Sequence, residues 1–308
     1  MTAFRRYFNL SDFMLLLVAV VWGTSYGVAK QTLWFYPVLG VLALRFGISF
    51  VMLSPSLRAL RRAGWRQVGG AVGTGLMLLA VLSAEMSGIA LTTAANAAFL
   101  ISLCVGFTPI VEWVVIKRRP QLSEWLAAGV SVLGAAMLTS DGSFKPNAGD
   151  ALIVLAAVLR ALNVCVTRRL MRDTQMSSLS VTALQSAVVA VGSAAAALLL
   201  TQKGLPALPS LNLHLAFWSN VLYLSVACTL FAFFAQNYAL KRSSPTRASL
   251  LMGSEPAFGA VFACLFLGES VSLMGWLGGA MIVLASMMSA LGWGQRKREN
   301  VVLAGHSQ

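Results

Sequence analysis

Long apolar runs dominate this chain, and short polar segments separate them. A helix needs roughly 20 apolar residues to cross the ~30 Å hydrocarbon core of a bilayer. The pattern therefore predicts an all-α integral membrane protein whose ten transmembrane helices cover residues 12–29, 37–56, 68–91, 94–116, 122–140, 149–167, 177–201, 213–239, 246–267 and 272–293. The linkers between these runs are too short to hold a further soluble domain.

The two halves of the chain repeat each other in order. The segment from Asp12 to Lys30 aligns with the segment from Asp150 to Arg168, and later matches keep a similar offset. Because each unit holds five helices, the second unit enters the membrane from the opposite face. We therefore predict two inverted five-helix repeats around a central cavity, at residues 12–140 and 149–293, with short cytoplasmic tails at 1–11 and 294–308.

Two of the predicted helices carry a proline at corresponding places in the two halves, Pro109 in the fourth run and Pro256 in the ninth. Proline removes a backbone donor and displaces the carbonyl four residues earlier, so we expect under-bonded oxygens at Val105 and Met252. Non-helical backbone at membrane depth is tolerated only beside protein or a water-filled cavity. Paired broken helices therefore indicate a central substrate site in a transporter, with the prolines as hinges.

Composition excludes an ordinary soluble protein, because 58% of the residues are hydrophobic, 11% are charged and the mean hydropathy is +0.77. The net charge of +13 does not indicate a nucleic-acid partner, since the basic residues stand in clusters between the apolar runs. Eighteen of the 23 Lys and Arg residues fall in alternate loops and three in the others. Cytoplasmic loops are the richer in Lys and Arg, so both termini are predicted to be cytoplasmic.

Signals for other chemistry are missing. The four cysteines all fall in predicted helices without paired spacing, and the two histidines lie far apart in the sequence. The chain contains no nucleotide-binding loop, nucleophile elbow or zinc-protease motif. We expect no cofactor, no metal site and no enzymatic activity.

Four short segments carry a resemblance to a known family: Trp22-Gly23-Thr24-Ser25-Tyr26, Arg45-Phe46, Tyr238-Ala239-Leu240-Lys241-Arg242, and Glu255-Pro256-Ala257-Phe258 followed by Leu267-Gly268-Glu269. From about Ser11 to Trp293 the chain resembles the drug/metabolite transporter superfamily of the EamA type. The resemblance implies two inverted five-helix halves and, commonly, export of amino acids or related metabolites across the bacterial inner membrane. The chain departs from the family at Arg160, where tryptophan is frequent.

A charge near the centre of the bilayer costs several kcal/mol, so each such residue is a functional hypothesis. Arg160 lies near mid-depth, and its forked guanidinium suits a substrate carboxylate, although a structural ion pair or a cavity lining would also explain it. Asn163 follows on the same helix face. Arg45 is predicted to be structural, bonding helix ends or freed carbonyl groups.

Two carboxylates are candidates for coupling or gating. Glu255 directly precedes Pro256 and could exchange protons with the transport cycle, or it could form a fixed pair with Arg45 or Arg160. Glu85 lies near the outer end of the third run, where a solvated position at the cavity rim is the alternative. Glu112 is predicted to form an ion pair near the membrane surface with Lys117.

The aromatic residues Trp22, Tyr26 and Phe99, together with the polar residues Ser25 and Asn96, complete the predicted substrate site. Such a set suits an apolar or aromatic substrate, although packing between helices explains the aromatic side chains equally well.

These residues favour a secondary transporter that exports small metabolites, with amino acids as the preferred class, by alternating access. Its expected partners are a small-molecule substrate, the lipid bilayer and protons, and the chain is expected to be a monomer or a weak homodimer. A multidrug exporter of the same fold is the alternative, although Arg45 and Arg160 disfavour cationic drugs. A membrane enzyme or scaffold subunit is a third hypothesis, for which no reactive cluster is found.

Overall fold

The computed structural model describes residues 9–138, 147–200, 206–211, 213–266 and 271–290. The helices are α1 (Leu10–Leu33), α2 (Val38–Leu53), α3 (Trp65–Leu91), α4 (Ala94–Ser102), α5 (Cys104–Val111), α6 (Leu122–Leu138), α7 (Ala148–Asp173), α8 (Ser178–Leu200), α9 (Leu215–Ser225), α10 (Ala232–Leu240), α11 (Pro245–Met252), α12 (Glu255–Phe266) and α13 (Leu273–Ala290). Most of both predicted tails, the ends of the fifth, seventh, ninth and tenth predicted helices, and Glu269 lie outside the described residues.

The prediction of a ten-helix membrane protein is confirmed. Seven described segments are long and apolar enough to cross a membrane, and α6 and α13 are shorter apolar helices. The remaining crossing consists of α11 and α12. Each of these helices is too short to cross a membrane by itself, because Gly253 and Ser254 separate them. The fourth crossing consists of α4 and α5, and the eighth of α9 and α10 joined by the π-helical segment Val226–Phe231. An even number of crossings puts the start of α1 and the end of α13 on the same face of the membrane. That this face is cytoplasmic stays a prediction.

Helix packing follows the repeat. The third crossing, α3, packs along α7, and the eighth crossing packs along α1 in the corresponding way. Likewise α4 and α5 contact α7, while α11 and α12 contact α1. Two further large contacts join counterparts directly, α2 with α8 and α6 with α13, and α8 also packs against α3. Contacts made by a helix of one half thus recur between the counterpart helices of the other half. This recurrence is expected of two inverted halves related by a two-fold axis in the membrane plane.

Both halves open with the same helix cap. In each, an aspartate in the first turn accepts a hydrogen bond from the backbone N–H of the asparagine before the helix, at Asp12 in α1 and Asp150 in α7. Asp12 also pairs with Arg247 at the start of α11, with 2.7 Å between Nη2 and Oδ2. Asp150 accepts a hydrogen bond of 2.6 Å from the hydroxyl of Thr92, just before α4. Each cap therefore ties the first helix of one half to the broken helix of the other.

The two helix breaks are not both where proline predicts them. The first break lies at Leu103, six residues before Pro109, which is an interior residue of α5. The second lies at Gly253 and Ser254, and Pro256 is the second residue of α12. At that position proline does not disturb the helix, since its missing N–H would have no partner within the helix. The second break therefore agrees with the prediction, and the first is displaced by about two turns.

Serine hydroxyls satisfy carbonyl groups at the end of α11. Ser254 donates to the carbonyl of Leu251 at 2.6 Å, and Ser286 in α13 donates to the carbonyl of Leu250 at 2.7 Å. A β-carbon at Gly253 would clash with Val105 Cγ2, so the second break packs tightly against α5 just beyond the first. The two halves therefore pack closely at the places where the chain bends.

Candidate functional site

A small cavity lies where α1, α2, α3, α7 and α10 meet, near the middle of the fold. Its walls consist of Trp22, Ser25, Tyr26, Arg45, Leu78, Val81, Leu82, Glu85, Met86, Arg160, Asn163, Val164, Phe233 and Gln236. The volume is about 40 Å³, whereas a cavity needs about 10–15 Å³ by this measure to hold one water molecule. The described conformation is therefore closed around this site, with no room for an organic substrate.

A buried ion pair lies beside the cavity. Arg160 Nη2 lies 2.7 Å from Glu255 Oε1, and the two side chains are 11% and 4% exposed. The Tyr26 hydroxyl donates to the other carboxylate oxygen, Oε2, also at 2.7 Å. Glu255 is the first residue of α12 and directly follows the helix break. Its pair with Arg160 connects the broken helix to α7. The hydrogen bond from Tyr26 connects the same helix to α1, which belongs to the other half. The structure thus brings Glu255 to Arg160 rather than to Arg45.

Trp22 covers the guanidinium from the other side. The Cζ atom of Arg160 lies 4.3 Å from the centroid of the Trp22 ring, within the range of a cation–π contact. The indole Nε1 of Trp22 donates to the backbone carbonyl of Cys228 at 2.9 Å, which fixes the ring. Phe233 packs on the same indole with 5.5 Å between ring centroids. Arg160 is therefore held by one carboxylate and one aromatic face.

Arg45 makes a different set of contacts. Its Nε donates to the Thr229 hydroxyl at 2.5 Å, and its Nη2 donates to the Cys228 carbonyl at 3.1 Å. Both acceptors belong to the π-helical segment Val226–Phe231, where the regular helical hydrogen bonds are interrupted. These contacts are of the kind expected for a structural arginine, although that role stays a prediction.

Glu85 is the carboxylate that faces the cavity without a partner. It lines the cavity from α3 and is half-buried, and it accepts no hydrogen bond from the residues that the structure describes. A partnerless carboxylate in a nearly closed cavity is available for a proton or for a cationic group of a substrate.

Ser25 and Asn163 line the cavity, but both donate to the backbone. The hydroxyl of Ser25 donates to the carbonyl of Trp22 at 2.8 Å, and Asn163 Nδ2 donates to the carbonyl of Thr74 at 2.9 Å. Their contribution to a substrate site in this conformation is therefore mainly shape.

The other predicted site residues lie away from the cavity lining. Asn96 is half-buried in the first turn of α4, and its backbone N–H bonds to Thr93 Oγ1. Phe99 packs in an apolar cluster with Ala135, Ala257 and Ile282. Pro109 and Pro256 are buried in α5 and α12. The structure therefore does not bring these four residues into the closed cavity.

Sequence reasoning missed several residues. Gln236 and Phe233 of α10 line the cavity, and the signal for Gln236 was a polar residue inside an apolar run.

Glu112 is fully buried and pairs with Arg118 at 2.9 Å, and it also accepts from the backbone N–H of Thr246 at 3.0 Å. The prediction of a surface pair with Lys117 is wrong, because the chain folds back after α5 and brings Arg118 to Glu112. Among the described residues, no group of three His, Cys, Asp or Glu side chains is placed to hold a metal ion.

Comparison with known proteins adds the family. The sequence profile described as the EamA-like transporter family matches residues 9–140 and again residues 147–291. The uncharacterized inner membrane transporter YedA of Escherichia coli (strain K12) is 28% identical over 89% of this chain and 88% of its own length. An uncharacterized transporter of Archaeoglobus fulgidus is 24% identical over 91% of this chain and 86% of its own length.

A solved crystal structure supports the fold. It superposes with a TM-score of 0.73 at 18% sequence identity, and the match covers 91% of this chain and 96% of that chain. The arrangement of helices in this chain is therefore one already seen in an experimental structure.

Proposed function

This chain is a member of the EamA-like transporter family, and on that premise we propose that it exports small amino-acid-like metabolites across the cytoplasmic membrane by alternating access. Membrane transport follows from the family. The substrate class, the outward direction and the mechanism are our proposal.

The observation that carries the proposal is the ion pair between Arg160 and Glu255, at 2.7 Å beside the closed cavity. A guanidinium suits planar, two-oxygen acceptors, and the Glu255 carboxylate engages Arg160 through the single nitrogen Nη2. The carboxylate of an amino acid presents the same chemical group as Glu255. We therefore expect substrate to replace Glu255 on Arg160, an exchange that leaves the buried cation paired throughout.

The position of Glu255 supports coupling between this exchange and movement of the helix. Glu255 begins α12, directly after the break at Gly253 and Ser254. While it pairs with Arg160 and accepts from Tyr26, it holds α12 against α7 and α1. Release of Glu255 removes that restraint, so binding of a carboxylate favours a conformation in which α12 has moved. Movement about a break between two packed helices is a common form of domain closure.

The remaining lining supports an apolar or aromatic substrate side chain. Trp22 and Phe233 form one wall, and Leu78, Leu82 and Met86 of α3 form another. Seven of the fourteen lining residues are polar or charged, and polar groups of this kind fix the orientation of a ligand. Among them we assign Arg160 to the carboxylate and Glu85 to the amino group of the proposed substrate.

Glu85 also supports a second candidate, export of cationic drugs. An unpaired carboxylate near the aromatic residues Trp22 and Phe233 suits an organic cation. In that case transport would depend on Glu85 and not on Arg160.

Uptake into reconstituted vesicles separates the two. Each amino acid is compared with the amine that lacks only its carboxylate, for example phenylalanine with phenethylamine. The proposal predicts transport of the amino acid alone and a large rise in its KM in Arg160→Lys, which keeps the charge but loses the fork. The control Arg66→Lys changes an exposed arginine on the membrane surface and should leave transport intact. Equal transport of both compounds by the original protein, or an unchanged KM for the amino acid in Arg160→Lys, would overturn the proposal. Transport of the amine alone by the original protein would support the second candidate.

A further inference from the structure

A second cavity lies at the membrane face where α1 begins, apart from the central site. Three elements form it: the end of the fourth crossing, the end of α7 and the turn before α11. Its volume is about 360 Å³, and it is lined by Glu112, Ile116, Lys117, Arg118, Arg168, Arg169, Arg172, Arg242, Ser243, Ser244 and Pro245. We call it the basic cleft.

The charge of the basic cleft is strongly unbalanced. Its lining holds six cationic side chains and a single carboxylate, Glu112, which Arg118 and Thr246 already engage. Arg118 is further neutralised by Glu124 from outside the lining. Burial lowers the pKa of Arg118, but the hydrogen bonds and charges of Glu124 and Glu112 outweigh it and raise that pKa above its usual value. Arg118 is therefore a satisfied cation that forms the floor of the cleft.

The other cations have weaker partners or none. Arg172 pairs only with its exposed neighbour Asp173, a kind of contact that contributes little. Arg242 donates to the backbone carbonyl of Tyr238 and stacks on its ring. Lys117 and Arg169 are exposed and form no hydrogen bond to any residue that the structure describes. Several positive charges thus face one cleft without a carboxylate to neutralise them.

A further observation indicates a ligand. The hydroxyl oxygen of Ser243 is buried in the cleft and has no hydrogen-bond partner within the described part of the chain. A buried polar atom without a partner costs free energy unless something outside the protein satisfies it. Lys117 has a φ of 63°, the left-handed conformation that commonly ends a helix, and here it ends the segment Glu112–Ile116 beside the cleft.

From these observations we infer that the basic cleft binds a phosphate group. Arginine forks and a hydroxyl donor are the groups that recognise phosphate oxygens, and the turn before α11 supplies backbone beside them. The cleft lies at the helix ends, the depth at which the headgroups of anionic phospholipids lie, and basic pockets between transmembrane helices bind such headgroups. A soluble phosphate compound presents the same chemistry. This inference does not depend on the substrate of the central site.

Thermal unfolding of the purified protein in detergent tests the inference, because a ligand that binds only the folded state raises the unfolding midpoint. In the lipid arm, phosphatidylglycerol is compared with a glycolipid of the same chain length that has no phosphate. In the soluble arm, glycerol 3-phosphate is compared with sodium chloride at the same ionic strength. A phosphate-dependent rise of the midpoint in the lipid arm alone identifies a headgroup site, and a rise in the soluble arm identifies a soluble ligand.

Variants connect the effect to the cleft. The double variant Arg169→Gln, Arg242→Gln removes two cations from the cleft, and the control Arg58→Gln, Arg66→Gln removes two exposed cations elsewhere on the same face. We expect the apparent dissociation constant to rise about tenfold or more in the cleft variant, since charge-assisted hydrogen bonds are among the stronger contacts. It should change less than about twofold in the control.

Ser243→Ala provides an independent measurement. Because this hydroxyl has no partner in the described structure, its removal should leave the unfolding midpoint of the ligand-free protein unchanged or slightly higher. The same change should reduce the stabilisation by the phosphate compound. Equal stabilisation of the cleft variant, the control and the original protein would overturn the inference, as would equal effects of sodium chloride and glycerol 3-phosphate without any phosphate-dependent effect of lipid.

Discussion

Trp22 and Arg160 stack on each other at 4.3 Å although they are 138 residues apart and occupy equivalent positions in the two aligned halves. Residues that contact their own counterparts lie close to the axis that relates the halves. The central cavity, which both residues line, therefore lies at the centre of the repeat. The two halves differ at this pair, with an aromatic ring on one side and a cation on the other. That difference gives an otherwise symmetrical cavity a single anion-binding wall.

The first prediction concerns the ion pair beside this wall. Arg160→Gln and Glu255→Gln should each lower the free energy of unfolding by about 3–5 kcal/mol, because each leaves a buried charge without its partner. The double variant should lose less than the sum of the two, since it leaves no unpaired charge. Unfolding in detergent of all four proteins gives the coupling free energy as a double-mutant cycle.

Glu124→Gln, in a half-exposed ion pair with Arg118, is the matched control and should cost no more than about 1 kcal/mol. Additive effects of Arg160→Gln and Glu255→Gln would show that the two side chains do not interact, and would remove the basis for exchange with a substrate carboxylate.

The second prediction uses two glycines of α1. A β-carbon at Gly23 would lie 2.5 Å from the carbonyl oxygen of Glu255 and 2.9 Å from the backbone nitrogen of Gly259, so Gly23→Ala must displace α12. We expect a loss of about 1–3 kcal/mol in stability and weaker transport, as for other overpacked positions. Gly27 lies one turn later and has no atom within 4 Å of the added carbon.

Gly27→Ala should therefore leave transport unchanged and raise stability slightly, since alanine is the better helix former. Thermal unfolding and vesicle uptake measure both variants. If Gly23→Ala behaved like Gly27→Ala, α12 would not lie against α1 as the structure has it.

The helices are predictable from the sequence because bilayer thickness sets the length of an apolar run. The repeat is predictable because the corresponding helices of the two halves keep similar residues in the same order. The sequence misplaced the first helix break, since the bend at Leu103 arises from contacts that proline position does not encode. Packing of Val105 against Gly253 is one of those contacts, and it joins residues 148 positions apart.

The sequence also left open which arginine pairs with Glu255, because Arg45 and Arg160 both lie near mid-depth. In the structure Arg45 donates instead to the Thr229 hydroxyl and the Cys228 carbonyl of the π-helical segment Val226–Phe231, and Arg160 pairs with Glu255. No pattern of hydrophobic and polar positions predicts that segment. Asn96 and Phe99 belong to the proline-containing fourth predicted helix, and their distance from the closed cavity depends on how α4 packs.

The third prediction separates a structural arginine from a binding one. Arg45→Lys should lower stability by about 1–3 kcal/mol, because a lysine ammonium cannot reproduce the hydrogen bonds to Thr229 and the Cys228 carbonyl together. The KM for the substrate should stay within about twofold of the original value, since a stability defect that spares the site does not alter binding. Arg160→Lys should show the reverse, with a large rise in KM. An Arg45→Lys protein of normal stability and raised KM would assign Arg45 to the substrate instead.

The fourth prediction concerns Glu85, which lines the cavity and has no hydrogen-bond partner among the residues that the structure describes. Because Glu85→Gln breaks no hydrogen bond or ion pair with the described residues, it should change stability by no more than about 0.5 kcal/mol, as for other changes that remove no contact. If Glu85 carries the coupling proton, the variant should still exchange labelled substrate across vesicles that hold no gradient, although with a raised KM because Glu85 also faces the amino group of the proposed substrate. It should lose accumulation driven by an imposed proton gradient, since an amide cannot take up and release a proton at neutral pH.

Asp173→Asn, at an exposed carboxylate on the membrane face, is the control and should keep both activities. Gradient-driven accumulation that survives Glu85→Gln would exclude Glu85 as the coupling group, and Glu255 would then be the next carboxylate to test.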